Sequence, residues 1–292
     1  MNIYSQSEIN QTLSSKKYFL SKSRGQNYLI NKHLAYTIVE RIYSKLDFQS
    51  SLNVIEVGSG LGALTLPLLE KFSKVISIEI DKGIFQLLLE VINQHGFSDK
   101  FEGTNSDFLK LHPSKVLNKV SSNYIFVSNL PYNVGGEILK KMYYEYDTKH
   151  IFVMVQKEFF ERLIAKPGQK NYSSLSVVFQ LNNEIIEELV YLKNTNFFPI
   201  PSIDSVFVFM KKKNTLIPQT IIKKMQKLFS TRRKNILNSI ILSTDISKEK
   251  GTEILEELKI NKNTRIEDLT PNEILNLALN LENKLNSDEQ KA

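Results

Sequence analysis

Asn129-Leu130-Pro131-Tyr132 puts a carboxamide, a main-chain carbonyl, a rigid turn and an aromatic ring within four residues, directly after the apolar run YIFVS. Together these groups suit substitution at the exocyclic amine of a nucleobase. The lone pair of an adenine amine is delocalised into the ring, so it needs acceptors that hold its protons and aim the pair at an electrophile. The Asn129 amide oxygen and the Leu130 carbonyl are two such acceptors, while Pro131 stiffens the turn and Tyr132 offers a ring on which an extruded base can stack. No general base is required, and catalysis would be mainly positioning, worth up to roughly 7–11 kcal/mol. A lone Asn-x-Pro turn after a strand would carry no function.

The tetrapeptide does not stand alone. Glu56-Val57-Gly58-Ser59-Gly60-Leu61-Gly62 lies where an earlier apolar run ends and a helix should start. Glycines there let the main chain approach a ligand and present the N-terminal amides of a helix. Gly58, Gly60 and Ala63 also fit the dinucleotide pattern, so this loop admits a nicotinamide cofactor as well as S-adenosylmethionine. Glu79, about 20 residues on, ends the next run and suits the hydroxyls of a ribose. Asp107, after a possible third run, has the chemistry to accept from an adenine amino group, although taken alone it reads better as a surface acid capping a turn.

The elements that must hold these groups follow from hydrophobic rhythm. Leu34, Ile38, Ile42 and Leu46 keep the helical period and predict a helix from Asn31. Short β-rich runs at 52–57, 74–80, 124–129 and 150–156 then alternate with helix-like segments at 83–94, 136–146 and 157–165, the pattern of a parallel sheet covered on both faces. Runs at 187–192 and 205–210 lie close together and predict an antiparallel pair at one sheet edge. Beyond Lys213 the spacing is helical throughout. The expected organisation is a mobile basic arm over 1–24 ending in Lys22-Ser23-Arg24, an α/β domain over 25–212 and a small all-helical domain over 213–292.

Composition narrows the classes. Hydrophobic residues are 41% and charged residues 24% of the 292, which excludes wholesale disorder and fibrous folds. With no cysteine and four histidines there is no disulfide framework, thiolate metal site or cysteine nucleophile, and a metal is not expected. No signal-like start or long apolar stretch appears, so the expected location is the cytoplasm, away from membranes. The net charge of +7 is concentrated: residues 211–234 carry nine Lys or Arg and no acid, leaving 29 basic against 31 acidic residues elsewhere. A one-signed block inside a folded chain favours phosphate binding, whereas most charge runs are only solvated faces.

In order along the chain, Gly25-Gln26-Asn27-Tyr28-Leu29, the glycine turn continuing to Thr65, Glu79-Ile80-Asp81, Asp107, Asn129-Leu130-Pro131-Tyr132-Asn133, Gln156-Lys157-Glu158, Phe197-Phe198-Pro199-Ile200-Pro201, Asp204-Ser205-Val206 and Arg232-Arg233-Lys234 resemble the ribosomal RNA adenine dimethyltransferases. The likeness is closer to the bacterial 16S type than to the 23S macrolide-resistance type, in which other residues are more usual at Leu130 and Asn133. The resemblance implies a Rossmann-like methyltransferase sheet with an antiparallel edge pair, a helical rRNA-recognition domain, and S-adenosyl-L-methionine as cofactor. It implies that Asn27 and Leu29 fold over the cofactor, that Gly58 and Gly60 lie against it, that Glu79 binds its ribose and Asp107 its adenine, and that Asn129 sits between cofactor and target. Phe197 would stack on the target adenine opposite Tyr132; without the resemblance it reads as an aromatic plugging the sheet edge. Gln156-Lys157-Glu158 reads as structural.

Three departures stand out. Val134-Gly135-Gly136 replaces the family's Ile and hydroxyl residue, Ser202 stands in place of a Lys, and Leu237 replaces an Arg. Arg232, Arg233 and Lys234, together with Lys223, Lys224 and Lys227, are therefore the expected RNA contacts. The implied activity is dimethylation of two adjacent adenosines in the 3′-terminal hairpin of 16S rRNA in the small ribosomal subunit, by a monomer. The alternatives are a 23S-directed enzyme of the same fold, a ribosome-assembly factor whose methylation is incidental, and a nicotinamide oxidoreductase.

Overall fold

The computed structural model describes residues 1–18, 27–46, 52–120, 123–244 and 246–289. Along the chain the elements are α1 (Gln6–Ser15), β1 (Tyr28–Leu29), α2 (Lys32–Ser44), β2 (Asn53–Val57), α3 (Thr65–Lys71), β3 (Lys74–Glu79), α4 (Lys82–Gln94), β4 (Phe101–Asn105), α5 (Ser114–Leu117), β5 (Tyr124–Asn129), α6 (Gly135–Glu145) and β6 (His150–Gln156). They continue with α7 (Lys157–Ile164), α8 (Ser174–Asn182), β7 (Asn183–Leu192), β8 (Phe197–Phe198), β9 (Ser205–Lys212), α9 (Gln219–Ser230), α10 (Ile236–Ser243), α11 (Lys248–Glu257) and α12 (Pro271–Glu289). Two compact units result, one of Met1–Lys157 with Ile185–Lys212, the other of Glu158–Glu184 with Lys213–Ala292.

The first unit is built on a seven-stranded sheet in the order β4-β3-β2-β5-β6-β9-β7. Strands β4 to β6 are parallel, and β9 pairs antiparallel with β6, Gln156 facing Ser205. β2 is buried at every position and β5 at all but its last, as strands covered on both faces require, which is why they read as unbroken apolar runs. The chain winds from β2 outward to β4, then returns to the other side of β2 with β5. The loops after β2 and β5 therefore diverge at adjacent carboxyl ends, where open α/β sheets hold ligands. The two late runs extend this sheet, with β9 between β6 and β7 at its edge.

Helix α6 leaves the Asn129 loop. No side chain caps its start at Val134, in keeping with the missing hydroxyl residue, and a Cβ at Gly135 would lie 3.3 Å from Leu130 Cβ, so a residue without a side chain lets the helix pack against the loop. At its other end the buried Lys212 donates to the carbonyls of Tyr143 (3.1 Å) and Tyr146 (2.9 Å), satisfying last-turn acceptors. Lys212 is thus a structural cation despite its place in the basic block.

Two expectations are corrected. Residues 1–18 are not a mobile arm: Ser5 caps α1 by accepting from the Glu8 N–H, and Ile3, Ile9 and Leu13 are buried in the core with α2, α3 and α4. Lys22, Ser23, Arg24, Gly25 and Gln26 lie outside the described residues. The helical unit also does not begin at 213. α8 packs against α9 and α12, the fully buried Tyr172 donates to Leu269 O at 2.9 Å, and the buried Asn182 amide oxygen accepts the Ile217 N–H at 2.9 Å. Those contacts bury the apolar faces of 158–184 among the C-terminal helices.

Ile9 has no exposed surface. Ile9→Ala is expected to lower the free energy of unfolding by about 2–4 kcal/mol in urea titration, the cost of a cavity in a packed core. A detached N-terminal arm would show no loss.

Candidate active site

The glycine turn and the Asn129 loop meet because β2 and β5 pair in register, Val57 beside Ser128, with Ser128 Oγ donating to Val57 O at 2.5 Å. Between them lies an open cleft lined by Asn27–Leu29, the glycine turn, Glu79, Ile80, residues 129–132 and Met154.

Gly60 has φ +56°, and a Cβ there would stand 2.9 Å from the Tyr28 ring, so both the turn and the close approach require glycine. Its N–H donates to Glu79 Oε2 at 2.9 Å, and the Asp81 N–H donates to Oε1 at 2.9 Å. Gly58 donates to Ile78 O at 2.8 Å and faces the Asn129 carbonyl. Burial pushes the Glu79 carboxyl above the usual carboxylate range, and the N–H bonds from Asp81 and Gly60 oppose the shift without cancelling it. Glu56, two residues before the first glycine, is buried in β2 and accepts from Thr65 Oγ1 at 2.7 Å. Burial pushes its pKa up to about 8, opposed by the Thr65 hydrogen bond and reinforced by Glu79.

Asn129 is oriented by one bond, Nδ2 donating to Asn27 O at 3.0 Å. A carbonyl only accepts, so the amide nitrogen must face Asn27 and Oδ1 is left as an acceptor. The Leu130 N–H donates to Met154 O at 3.1 Å, while the Leu130 carbonyl has no hydrogen bond among the described residues. The half-buried Tyr132 shares a hydrogen bond with Ser205 Oγ at 2.8 Å, and burial pushes its hydroxyl pKa up.

The structure thus gathers Asn27, Leu29, Gly58, Gly60, Glu79, Asn129, Leu130, Pro131 and Tyr132 in or against one cleft. The segment at Asn27 reads as a linker from composition, but Tyr28 and Leu29 pair antiparallel with Phe198 and Phe197. That pairing corrects the expectation for Phe197. Its side chain is fully buried in the core and does not line the cleft, so its ring offers no stacking face here, while Phe198 is only partly buried. Asp107 follows β4, whose last residue Asn105 pairs with Glu79, and so shares the carboxyl edge. Its Oδ1 accepts the Leu109 N–H at 3.0 Å and caps a turn, outside the cleft lining. Ile80, a cleft residue with half its surface exposed, was given no role from sequence; an apolar residue directly after a strand-ending acid was the available signal.

A model of the ribosomal RNA adenine dimethylase family matches residues 19–283. The chain belongs to that family. Among its bacterial relatives, ribosomal RNA small subunit methyltransferase A of Borreliella afzelii is 35% identical over 243 residues, 82% of each chain, and that of Thermotoga neapolitana is 36% identical over 253 residues, 83% of this chain and 91% of the relative. Of solved structures, a dimethyladenosine transferase from Plasmodium falciparum shares the fold with a TM-score of 0.72 at 24% identity, covering 87% of this chain and 97% of that one. The 23S rRNA methyltransferase ErmE does so with a TM-score of 0.61 at 21% identity, over 87% and 99%.

In the helical unit the basic block divides. Lys224 pairs with Glu282 at 2.7 Å and Arg232 with Glu267 at 3.2 Å. Lys223, Lys227, Arg233 and Lys234 are exposed and without an ion pair among the described residues. Leu237, in place of the family's Arg, is buried, 3.2 Å from where a Cβ on Gly251 would lie.

Glu56 makes stability fall with rising pH. Below the ordinary carboxylate range both folded and unfolded chains hold its proton; from there to about 8 only the folded chain does. Melting temperatures of the ligand-free protein should decline across pH 5–8, and Glu56→Gln, which keeps an acceptor for Thr65, should flatten that decline by about one proton, or ~1.4 kcal/mol per pH unit at most.

Proposed function

We propose that this chain transfers methyl groups from S-adenosylmethionine to the N6 amine of adenosine in ribosomal RNA of the small subunit. The observation that carries this reading is the orientation of Asn129, its nitrogen held by Asn27 so that an acceptor oxygen remains beside the glycine turn.

The residues present fit the cofactor. Gly58 and Gly60 keep the turn free of side chains, the Glu79 oxygens stand where ribose hydroxyls can donate to them, and Ile80 offers an apolar face to a base. When bound, S-adenosylmethionine supplies an electrophilic methyl group on a sulfonium. The chain's own contribution is placement. Asn129 Oδ1 and the Leu130 carbonyl each accept one N–H of the target amine, which turns its lone pair out of conjugation. Each methyl gained costs the amine one proton, released to solvent, so one N–H remains after the first methylation and either acceptor suffices for the second. Pro131 fixes the loop, and Tyr132 presents its ring to a base taken out of its stack, its hydroxyl tied to Ser205.

The finer substrate we infer is a pair of adjacent adenosines in the 3′-terminal hairpin of 16S rRNA, met in the small subunit by a cytoplasmic protein. The exposed Lys223, Lys227, Arg233 and Lys234 are the proposed phosphate contacts. Asp107 keeps Oδ1 on the Leu109 N–H, and its Oδ2 is the oxygen proposed to accept from the cofactor's adenine amine.

Incubation with S-adenosylmethionine and either unmethylated small subunits or protein-free 23S rRNA, followed by mass spectrometry of the digested RNA, is expected to yield dimethyladenosine only from the small subunit. Its appearance only in 23S rRNA would overturn the substrate assignment. Asn129→Ala should cut the rate on the order of 100-fold or more while still docking on the subunit, as expected for lost placement. Each Lys or Arg to Gln change at 223, 227, 233 or 234 should reduce the log-log salt slope of subunit binding by about 0.7–0.9, with smaller changes at Lys224 and Arg232. A flat salt response would remove the block from the interface.

A further inference from the structure

The main chain leaving the glycine turn has a requirement that its own helix cannot meet. The Leu66 N–H donates to Gly62 O and the Leu68 N–H to Leu64 O, both at 3.0 Å. Between them the Ala63 carbonyl should receive the N–H of residue 67, but that residue is Pro67, which has none. The missing donor comes from the start of the chain, where the Tyr4 hydroxyl donates to Ala63 O at 2.9 Å. Ala63 lines the cleft, so this bond fixes a piece of the site's wall.

Tyr4 is itself well held. Its N–H donates to Asn2 Oδ1 at 3.0 Å, and Ile3, Ile9 and Leu13 anchor the segment in the core. The same segment reaches the helix that follows Glu79: Lys16 pairs with Glu90, and the Tyr18 ring lies 3.0–3.2 Å from where a Cβ on Gly83 would stand. Residues 1–18 therefore brace the elements after both cofactor-side strands, β2 and β3. They precede the family match, which starts at residue 19. Burial first, then the neighbouring Tyr36, Glu70 and Glu56, raise the Tyr4 hydroxyl pKa and keep it a proton-bearing donor.

We propose that residues 1–18 are a working part of the cofactor site, with Tyr4 as a positioning residue that holds the glycine turn in its binding geometry by making the hydrogen bond that Pro67 withholds. The proposal rests on the cofactor reading above, and its test separates the two. Calorimetric Kd values for S-adenosylhomocysteine are measured on the full chain, on Tyr4→Phe, on Pro67→Ala and on the double variant. Tyr4→Phe keeps the ring and loses the donor, so Kd should rise about 3- to 10-fold, the equivalent of one neutral hydrogen bond. Pro67→Ala restores an N–H at position 67, so the double variant should bind within about twofold of the unaltered chain, as a coupled pair requires. An unchanged Kd in Tyr4→Phe, even with a lower melting temperature, would reduce Tyr4 to a stabiliser of the fold and overturn the proposal. A double variant as weak as Tyr4→Phe would also overturn it. Should Tyr4→Phe fail to fold, the double variant decides alone: binding like the unaltered chain supports the proposal and weakened binding overturns it. Failure of the unaltered chain to bind would instead overturn the cofactor reading.

Discussion

The parallel pairing of β2 with β5 is the constraint on which the site depends. Two strands separated by more than sixty residues end side by side, and the chain turns to opposite sides of the sheet beyond them. Everything that reads as chemistry lies on the two divergent loops or on segments drawn against them. A one-residue slip of β5 in this register would turn Ser128 to the other face and separate the glycine turn from Asn129. The continuous apolar burial of both strands is therefore also what specifies the site.

Around that junction the polar groups are bound to one another before any ligand arrives. Glu79 gathers the N–H groups of Gly60 and Asp81, Asp81 caps α4, Asn129 is held by Asn27, and Glu56 takes the Thr65 hydroxyl. Such a network keeps rotamers fixed, so little order need be created on binding. Burial disfavours the ionisation of both Glu56 and Glu79, and Glu79 adds to the effect at Glu56.

Much of this was legible in the sequence, for identifiable reasons. The strands at 53–57, 74–79, 124–129 and 150–156 are long apolar runs whose period survives averaging, and the two motifs fall at their ends. β1 and β8 are two residues each and carry no period, so composition alone makes Asn27–Leu29 read as linker, although Tyr28 and Leu29 pair with Phe198 and Phe197. Alternation across that bridge buries one of two adjacent phenylalanines, and nothing in their types says which. α1 hides behind a polar composition with only Ile9 and Leu13 buried, although Ser5 followed by Glu8 is a capping signature that marks its start. The membership of 158–184 in the helical unit is hidden because its partners lie about thirty or more residues further along the chain, beyond three strands.

That last arrangement bears on how the molecule comes into being. Because the helical unit is assembled from 158–184 and from everything beyond 212, no single cut in the chain divides the protein into its two units. During synthesis α8 emerges well before α9 and α12, so its apolar side must wait, without its final partners, while β7 and β9 complete the sheet. A chain ending at Lys212 would carry that side permanently bare. The sheet-bearing and helical parts are thus interleaved in the order of their synthesis as well as in sequence.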